Sequence, residues 1–215
     1  MNEYTKDIIF KTHYFVVERA RTTRRFLSAL GHPTPIHELH IFELEKNNPI
    51  QGLHDFLNHL SDGKNIGVFS EAGCPGIADP GSLAVRYAHD KKYDVVPLVG
   101  PSSILLALIS SGLNGQNFAF NGYLPNKVNE LHKKLKALEL LAVKGRQTQI
   151  FMEAPYRNAF ILENCMKSLS PNLKLCIACD INSPTQYIKT QAVKSWKGFE
   201  WQVFHKRPTV FLIGT

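Results

Sequence analysis

Apolar and polar positions along this chain switch between a strand period and a helix period, with Gly- and Pro-rich breaks at the changeovers. Ile66-Gly67-Val68-Phe69 is an apolar run of strand length. It ends in Ser70-Glu71-Ala72-Gly73-Cys74-Pro75-Gly76-Ile77-Ala78-Asp79-Pro80-Gly81, too rich in Gly and Pro for helix or strand. Leu83, Val85, Tyr87 and Ala88 then predict a helix, and Val95-Val96-Pro97-Leu98-Val99 a second strand. That strand stops at Gly100-Pro101-Ser102-Ser103, and an apolar helix runs from Ile104 to Ile109. Two strands, each followed by a Gly/Pro loop and a helix, predict a parallel α/β sheet with both loops at its carboxyl edge. Ligands bind at that edge in open α/β sheets, so these two loops form the candidate site.

The flanking pattern extends the same scheme. Tyr4 to Thr12 reads as helical, Tyr14 to Val17 as a strand ending at Glu18-Arg19-Ala20-Arg21, and a helix from Thr22 or Thr23 carries Phe26, Leu27 and Leu30 on one face and stops at Gly31. Leu39 to Leu44 predicts a short strand, and Gln51 to Leu60 an amphipathic helix with Leu53, Phe56, Leu57 and Leu60 inward. The turn-rich stretch near Asn114 to Asn117 marks a boundary between an N-terminal α/β domain over 1–115 and a C-terminal one over 116–215. Beyond it, strands are expected at Phe118–Leu124, Gln149–Glu153, Leu173–Cys179, Tyr187–Val193 and Pro208–Ile213. Helices are expected through Leu131, Leu135 and Leu138, and through Ile161, Leu162 and Met166. The first sheet is expected to be mainly parallel and the second mixed.

Composition narrows the class. The chain has 215 residues, 44% hydrophobic and 20% charged, as in an ordinary globular protein. No apolar run approaches the roughly 18 residues of a membrane span, and the N-terminus lacks a secretory pattern, so the expectation is a cytoplasmic protein without a membrane partner. A net charge of +7 favours polyanionic partners, nucleic acid first. Cys176-Ile177-Ala178-Cys179 matches C-x-x-C. It falls on a strand, where residues three apart face opposite ways, and no second pair completes a metal site. Structural thiols and no metal are expected.

Small residues after a strand let backbone groups approach a ligand closely. Ser102 and Ser103 stand at a helix start, where a hydroxyl caps the helix or meets a ligand. Neither loop is a phosphate-binding or dinucleotide fingerprint, and no G-x-S-x-G nucleophile elbow is present. Asp79, between Ala78 and Pro80, reads as a cap for the following helix.

Three motifs in order, Ser70 to Gly81, Val95 to Ser103, and Phe120-Asn121-Gly122-Tyr123-Leu124-Pro125, resemble the tetrapyrrole methylase family. The resemblance is strongest to the branch that 2'-O-methylates a cytidine ribose of bacterial small-subunit ribosomal RNA, and it runs from about Val16 to the end. It implies two α/β domains with S-adenosylmethionine folded between them, and a homodimer. By that resemblance Glu71, Ala72, Gly73 and Ile77 line the cofactor, Ser102 and Ser103 meet it from the second loop, and Glu153 and Asn182 close over the adenosine. Glu18 and Arg21 match an acidic and a basic residue of the family's Glu-Asp-Thr-Arg run and face the acceptor, as do Tyr156 and Arg157. Glu18 is the first candidate base for the hydroxyl proton and Asp79 the second.

Two departures accompany the resemblance. Arg19 stands where the run has Asp. The family also begins with a strand and a Pro/Gly loop ahead of the segment matching Ile8 to Val17, and the chain has no room for them. The function expected is methyl transfer from S-adenosylmethionine to ribosomal RNA or the small subunit. The alternatives are a methylase of a tetrapyrrole or other small molecule, and a non-catalytic cofactor-binding homologue.

Overall fold

The computed structural model describes residues 1–44 and 52–215, in two compact units, Met1–Ser102 and Ser103–Thr215. In the first unit, helix α1 (Glu3–Phe10) leads into strand β1 (Tyr14–Val17). Helix α2 (Ala20–Leu30) follows, then β2 (His40–Glu43), the short α3 (Leu53–Leu57), β3 (Ile66–Phe69) and α4 (Ser82–Asp90). The three strands are parallel in the order β2-β1-β3. β1 is central and apolar, so Phe15, Val16 and Val17 are fully buried. Ile9, Leu27 and Leu39 cover one face with Phe15 and Val17; Leu53, Leu57, Ala84 and Tyr87 cover the other with Val16. Gln51, the expected start of the helix ending at Leu60, lies outside the described residues; from Leu53 that segment is α3 and then a 3-10 turn over Asn58–Leu60.

Close backbone packing explains Gly67 in β3. A Cβ there would sit 2.9 Å from Cδ1 of the fully buried Phe15. Gly67→Val is therefore expected to destabilise the chain by about 1–3 kcal/mol through overpacking. Urea unfolding checks this, and an unchanged midpoint would contradict the packing argument.

Two sequence expectations in this unit are corrected. Helix α2 starts at Ala20, ahead of Thr22, because the Ala20 N–H donates to the Glu43 carboxylate at 2.8 Å, a cap supplied from β2. Its Phe26 is 38% exposed, so the buried stripe rests on Leu27. Val95–Val99 is not a strand of the sheet: among the described residues it pairs with no strand, and Val96 and Val99 are 63% and 74% exposed. Strand propensity is expressed only where a neighbouring strand accepts the backbone hydrogen bonds.

The second unit begins with α5 (Ser103–Ser111), then β4 (Phe118–Tyr123), α6 (Val128–Lys144), β5 (Thr148–Met152) and α7 (Asn158–Ser168), and ends with β6 (Lys174–Cys179), β7 (Tyr187–Ala192) and β8 (Thr209–Gly214). Its sheet runs β4-β5-β8-β6-β7; β4 and β5 are parallel, and β8 is antiparallel to both β5 and β6. The sheet is mixed, as the pattern of the second half implied. Leu131, Leu135 and Leu138 of α6, with α7 and the fully buried Trp196, cover one face. Ala107 and Leu108 of α5 cover the other, against Ile150, Cys176 and Leu212. That packing draws α5 into the second unit, so the division falls at Ser102/Ser103, ahead of the turn-rich stretch near Asn114 where the sequence suggested it.

Cys176 and Cys179 belong to opposite apolar clusters, on the two faces of β6. Burial raises both thiols and pushes Cys165 up to about 12. All three are free and buried, which suits packing and not thiolate chemistry.

Glu139 of α6 is the polar anchor of this core. Its carboxylate accepts from the Ser170 N–H at 2.7 Å and from Lys136 Nζ at 2.8 Å. Burial raises its pKa, but these bonds outweigh it, and the net shift is downward. A depressed folded-state pKa means the unfolded chain binds the proton more readily. The stability it contributes is thus present above the unfolded carboxylate value and lost as pH falls through the folded one. Urea unfolding between about pH 6 and pH 3 is expected to show a smaller loss for Glu139→Gln than for the parent, by about 1 kcal/mol. Coincident profiles would remove Glu139 from the acid response.

Candidate functional site

All three strands of the first sheet point their carboxyl ends toward one edge, and the residues that follow them meet there. The Glu71 N–H, just past β3, donates to Glu18 Oε2, just past β1, at 3.0 Å. The Glu71 side chain turns toward α2, where Thr22 Oγ1 donates to Oε1 at 2.7 Å and Arg19 Nε lies 3.4 Å from Oε2. Arg19, the departure from the resembled Asp, thus pairs with Glu71, although both groups are largely solvated and the pair contributes little energy. Glu43, the last residue of β2, holds the start of α2. Arg21 is exposed on the first turn of that helix.

The loop from Ser70 to Gly81 is shaped by its own side chains. Ser70 Oγ donates to the Gly73 carbonyl at 3.1 Å. The Asp79 carboxylate accepts from the Gly76 N–H at 2.9 Å and from the Gly81 N–H at 2.7 Å, so it staples both sides of the loop. The position suggested a cap for the following helix, but the bonds of Asp79 stop at Gly81, ahead of α4, which starts at Ser82 without a side-chain cap. Gly73 has φ +82, a left-handed conformation that L side chains rarely adopt, and a Cβ there would meet nothing within 4 Å. Glu71, Ala72, Gly73 and Ile77 are exposed. Beside this loop, the Cys74 thiol donates to the Pro101 carbonyl at 3.6 Å, and no atom stands within 4 Å of a Cβ placed on Gly100. The two loops are brought together, with open backbone at Gly73 and Gly100. Ser102 follows directly, and Ser103 is the first residue of α5.

In the second unit, β4, β5 and β6 all end at one edge of their sheet. The buried Glu153 carboxylate accepts from the Leu124 N–H at 3.2 Å and from Arg157 Nε at 3.0 Å, so the end of β4 and the turn after β5 are locked together. Arg157 also covers the Phe160 ring. Tyr156, between them in sequence, is 66% exposed. Asn182, with φ +63, follows β6, and its N–H donates to Gln186 Oε1 at 2.8 Å.

Arg207 organises this edge, and sequence reasoning missed it. Its Nε donates to Asp180 at 2.8 Å and its Nη1 to the Val203 carbonyl at 3.0 Å, while its own carbonyl accepts from Asn158 Nδ2. Burial raises the Asp180 pKa, but hydrogen bonds from Thr185 and Arg207 and the Arg207 charge lower it further. Thr22 was also missed. Arg207 and Asp180 stand 27 residues apart and Thr22 and Glu71 stand 49 apart, so no local spacing signals either contact.

A cavity of about 560 Å³, lined by Lys11, His13, Tyr14, His40 and Lys64 among others, opens at the amino edge of the first sheet. It sits at the opposite strand ends from the two loops and contains none of the residues singled out by the motifs. Among the described residues no group of three or more His, Cys, Asp or Glu is arranged to hold a metal ion, and no helix is long and apolar enough to cross a membrane.

No protein-family profile matches the chain. Among curated proteins it is similar to the ribosomal RNA small subunit methyltransferase I of Buchnera aphidicola, 30% identical over 80% of the chain and 60% of that protein. The protein of the same name from Bacillus subtilis is 36% identical over 70% of the chain and 49% of its own length. The Haemophilus influenzae protein of that name is 31% identical over 86% of the chain and 61% of its own length. The chain thus spans about half to three fifths of these relatives. Among solved structures, the cobalt precorrin-4 methyltransferase of cobalamin biosynthesis aligns with a TM-score of 0.65 at 12% identity, over 100% of the chain and 88% of that structure. A diphthine synthase aligns with a TM-score of 0.66 at 12% identity, over 100% of the chain and 84% of that structure. Identities this low show a shared fold alone.

Proposed function

We propose that this chain, a homologue of the small-subunit ribosomal RNA methyltransferase I proteins built on the tetrapyrrole methylase fold, transfers a methyl group from S-adenosylmethionine to a ribose 2'-oxygen of small-subunit ribosomal RNA. Sequence similarity to the curated relatives carries this reading. The +7 net charge supports a polyanionic substrate. Homology favours RNA over a tetrapyrrole or other small molecule, because the small-molecule enzymes share only the fold.

The first unit fits the cofactor. Glu71, Ala72 and Gly73 present exposed backbone, and no atom stands within 4 Å of a Gly73 Cβ to block close approach. We assign cofactor contacts to these residues and to Ile77, Ser102 and Ser103. Glu153 and Asn182 of the second unit are further cofactor contacts in this reading, Glu153 through backbone atoms, because its carboxylate is committed to Leu124 and Arg157. Arg21, Tyr156 and Arg157 are assigned to the RNA. S-adenosylmethionine, when bound, supplies a methyl group already activated by its sulfonium, and no metal is required. The residues hold the ribose hydroxyl in attack geometry, and Glu18 accepts its proton. Asp79 is the weaker candidate for that proton, because its carboxylate already holds two loop N–H groups. We place the protein in the cytoplasm, acting on the small ribosomal subunit as a homodimer.

The test is calorimetric titration with S-adenosylmethionine, followed by transfer of labelled methyl to small subunits lacking ribose methylation. Saturable binding with label in a ribose supports the proposal. Label in added tetrapyrrole and none in RNA would replace it with the small-molecule reading, and binding without any transfer would replace it with the non-catalytic one.

A further inference from the structure

Helix α2 carries its charges where a helix is least suited to hold them. Four of the chain's eight arginines fall within the seven residues from Arg19 to Arg25. Arg21, Arg24 and Arg25 lie in the first two turns of α2, and all three are exposed. The amino end of a helix carries the positive pole of its dipole, so cations there are disfavoured. Like charges three or four residues apart, as Arg21 is from Arg24 and Arg25, also repel one another. The helix contains no acidic residue to offset either effect.

The neighbouring carboxylates are engaged elsewhere. Glu43 accepts the Ala20 N–H, Glu18 accepts the Glu71 N–H, and Glu71 accepts from Thr22 and pairs with Arg19. Among the described residues Arg21, Arg24 and Arg25 form no ion pair. Buried Ala20, Thr23 and Leu27 mark the inward side of α2. At 3.6 residues per turn, Arg21 and Arg25 fall on the opposite side, about 6 Å apart along the axis, with Arg24 beside them. Phe26, the only aromatic residue of α2, turns away toward Phe69, with 5.7 Å between ring centroids.

We propose that this arginine face of α2 docks the phosphate backbone of RNA, with Arg24 and Arg25 as contacts beyond Arg21. Phosphates offset both the helix dipole and the mutual repulsion, and guanidinium groups bind them through paired hydrogen bonds. The face starts where Glu18 and Glu71 meet at the carboxyl edge and runs away from it along the helix. It therefore holds RNA outside the reaction site. With no ring among the arginines for bases to stack on, the contact positions the strand and reads no sequence. This inference rests on the RNA substrate of the methyltransferase reading and adds to it a surface that acts by charge alone.

The experiment compares the full chain with two double variants, Arg24→Gln with Arg25→Gln and Arg24→Lys with Arg25→Lys. It reads affinity for naked small-subunit ribosomal RNA and for intact small subunits against salt, beside S-adenosylmethionine affinity and melting temperature. The Gln pair is expected to weaken RNA binding about 10-fold or more at about 0.1 M salt, and to flatten the slope of log affinity against log salt by about 1 to 2. The Lys pair is expected to keep most of the slope, because it keeps both charges. RNA of scrambled sequence is expected to show the same drop between parent and Gln pair. The Gln pair is expected to bind S-adenosylmethionine as the parent does and to melt no lower, because it removes repulsion. Loss of affinity together with a clear fall in melting temperature would trace the effect to folding and overturn the inference. An unchanged slope in the Gln pair also overturns it, and if methyl transfer to RNA persists, the methyltransferase reading stands without it. The expected change of slope in a chain that transfers no methyl to RNA supports the surface and overturns that reading instead. A drop seen with intact subunits and absent with naked RNA overturns the inference in favour of an acidic protein partner. Absence of salt-dependent RNA binding by the parent overturns both.

Discussion

Replacing Gly73 by Trp is expected to abolish S-adenosylmethionine binding while leaving the fold in place. The space above Gly73 is open, so the indole would occupy the approach path of a ligand and collide with no protein atom within reach of its Cβ. The left-handed backbone, φ +82, adds a strain of about 1–2 kcal/mol to any L residue there. That strain is separable from the steric block. Gly63 also has a positive φ, +72, with nothing within 4 Å, and it lies in the turn before β3 at the other end of the sheet. Gly63→Trp therefore carries similar backbone strain without filling the loop. Calorimetric titration is expected to show affinity reduced about 100-fold or more for Gly73→Trp, about 2.7 kcal/mol, and affinity near the parent value for Gly63→Trp. Unchanged affinity in the Gly73 variant would move the cofactor away from this loop. Equal loss in both variants would trace the effect to strain or misfolding.

Glu18→Gln is expected to lower kcat by about 100-fold or more with little change in cofactor affinity. The carboxylate has two roles at this edge: Oε2 accepts the Glu71 N–H at 3.0 Å, and the group is the assigned acceptor of the ribose proton. A Gln amide oxygen still accepts that N–H, so the join between β1 and the Ser70–Gly81 loop survives. What the amide cannot do is take up a proton near neutral pH. If Glu18 serves only to hold the loop, Glu18→Gln retains the parent rate, and Glu18→Ala loses cofactor affinity together with rate. Single-turnover transfer at saturating cofactor separates these outcomes, and a parent-like rate in the Gln variant would remove Glu18 as the base.

The loop that carries Gly73 was legible from local order, whereas Glu18 as the base came from the resemblance to the tetrapyrrole methylases. Strand, Gly/Pro loop and helix follow one another within Ile66 to Ala88, and the carboxyl edge of a parallel sheet is where such loops collect. Leu131, Leu135 and Leu138 announced the buried stripe of α6, and the spacing of Cys176 and Cys179 placed them on opposite faces of a strand. These features depend on residues within a turn or two of one another, where periodicity and steric preference act directly.

Tertiary structure alone decided the rest. Val95–Val99 has strand composition, yet whether it joins a ladder depends on a neighbour that the local sequence does not specify. Helix α2 starts at Ala20 because Glu43, 23 residues away, supplies the cap. α5 joined the second unit because Ala107 and Leu108 bury against Ile150, Cys176 and Leu212. The Glu71 side chain went to Thr22 and Arg19, and Arg207 became the hub of the second unit's loops through contacts distant along the chain. Apart from Val95–Val99, the sequence determined most segments that become elements and the loops that expose backbone, because those outcomes follow from local sterics and hydrophobic period. The partner of each polar side chain, and the completeness of each sheet, emerged only once distant segments were brought within hydrogen-bond reach.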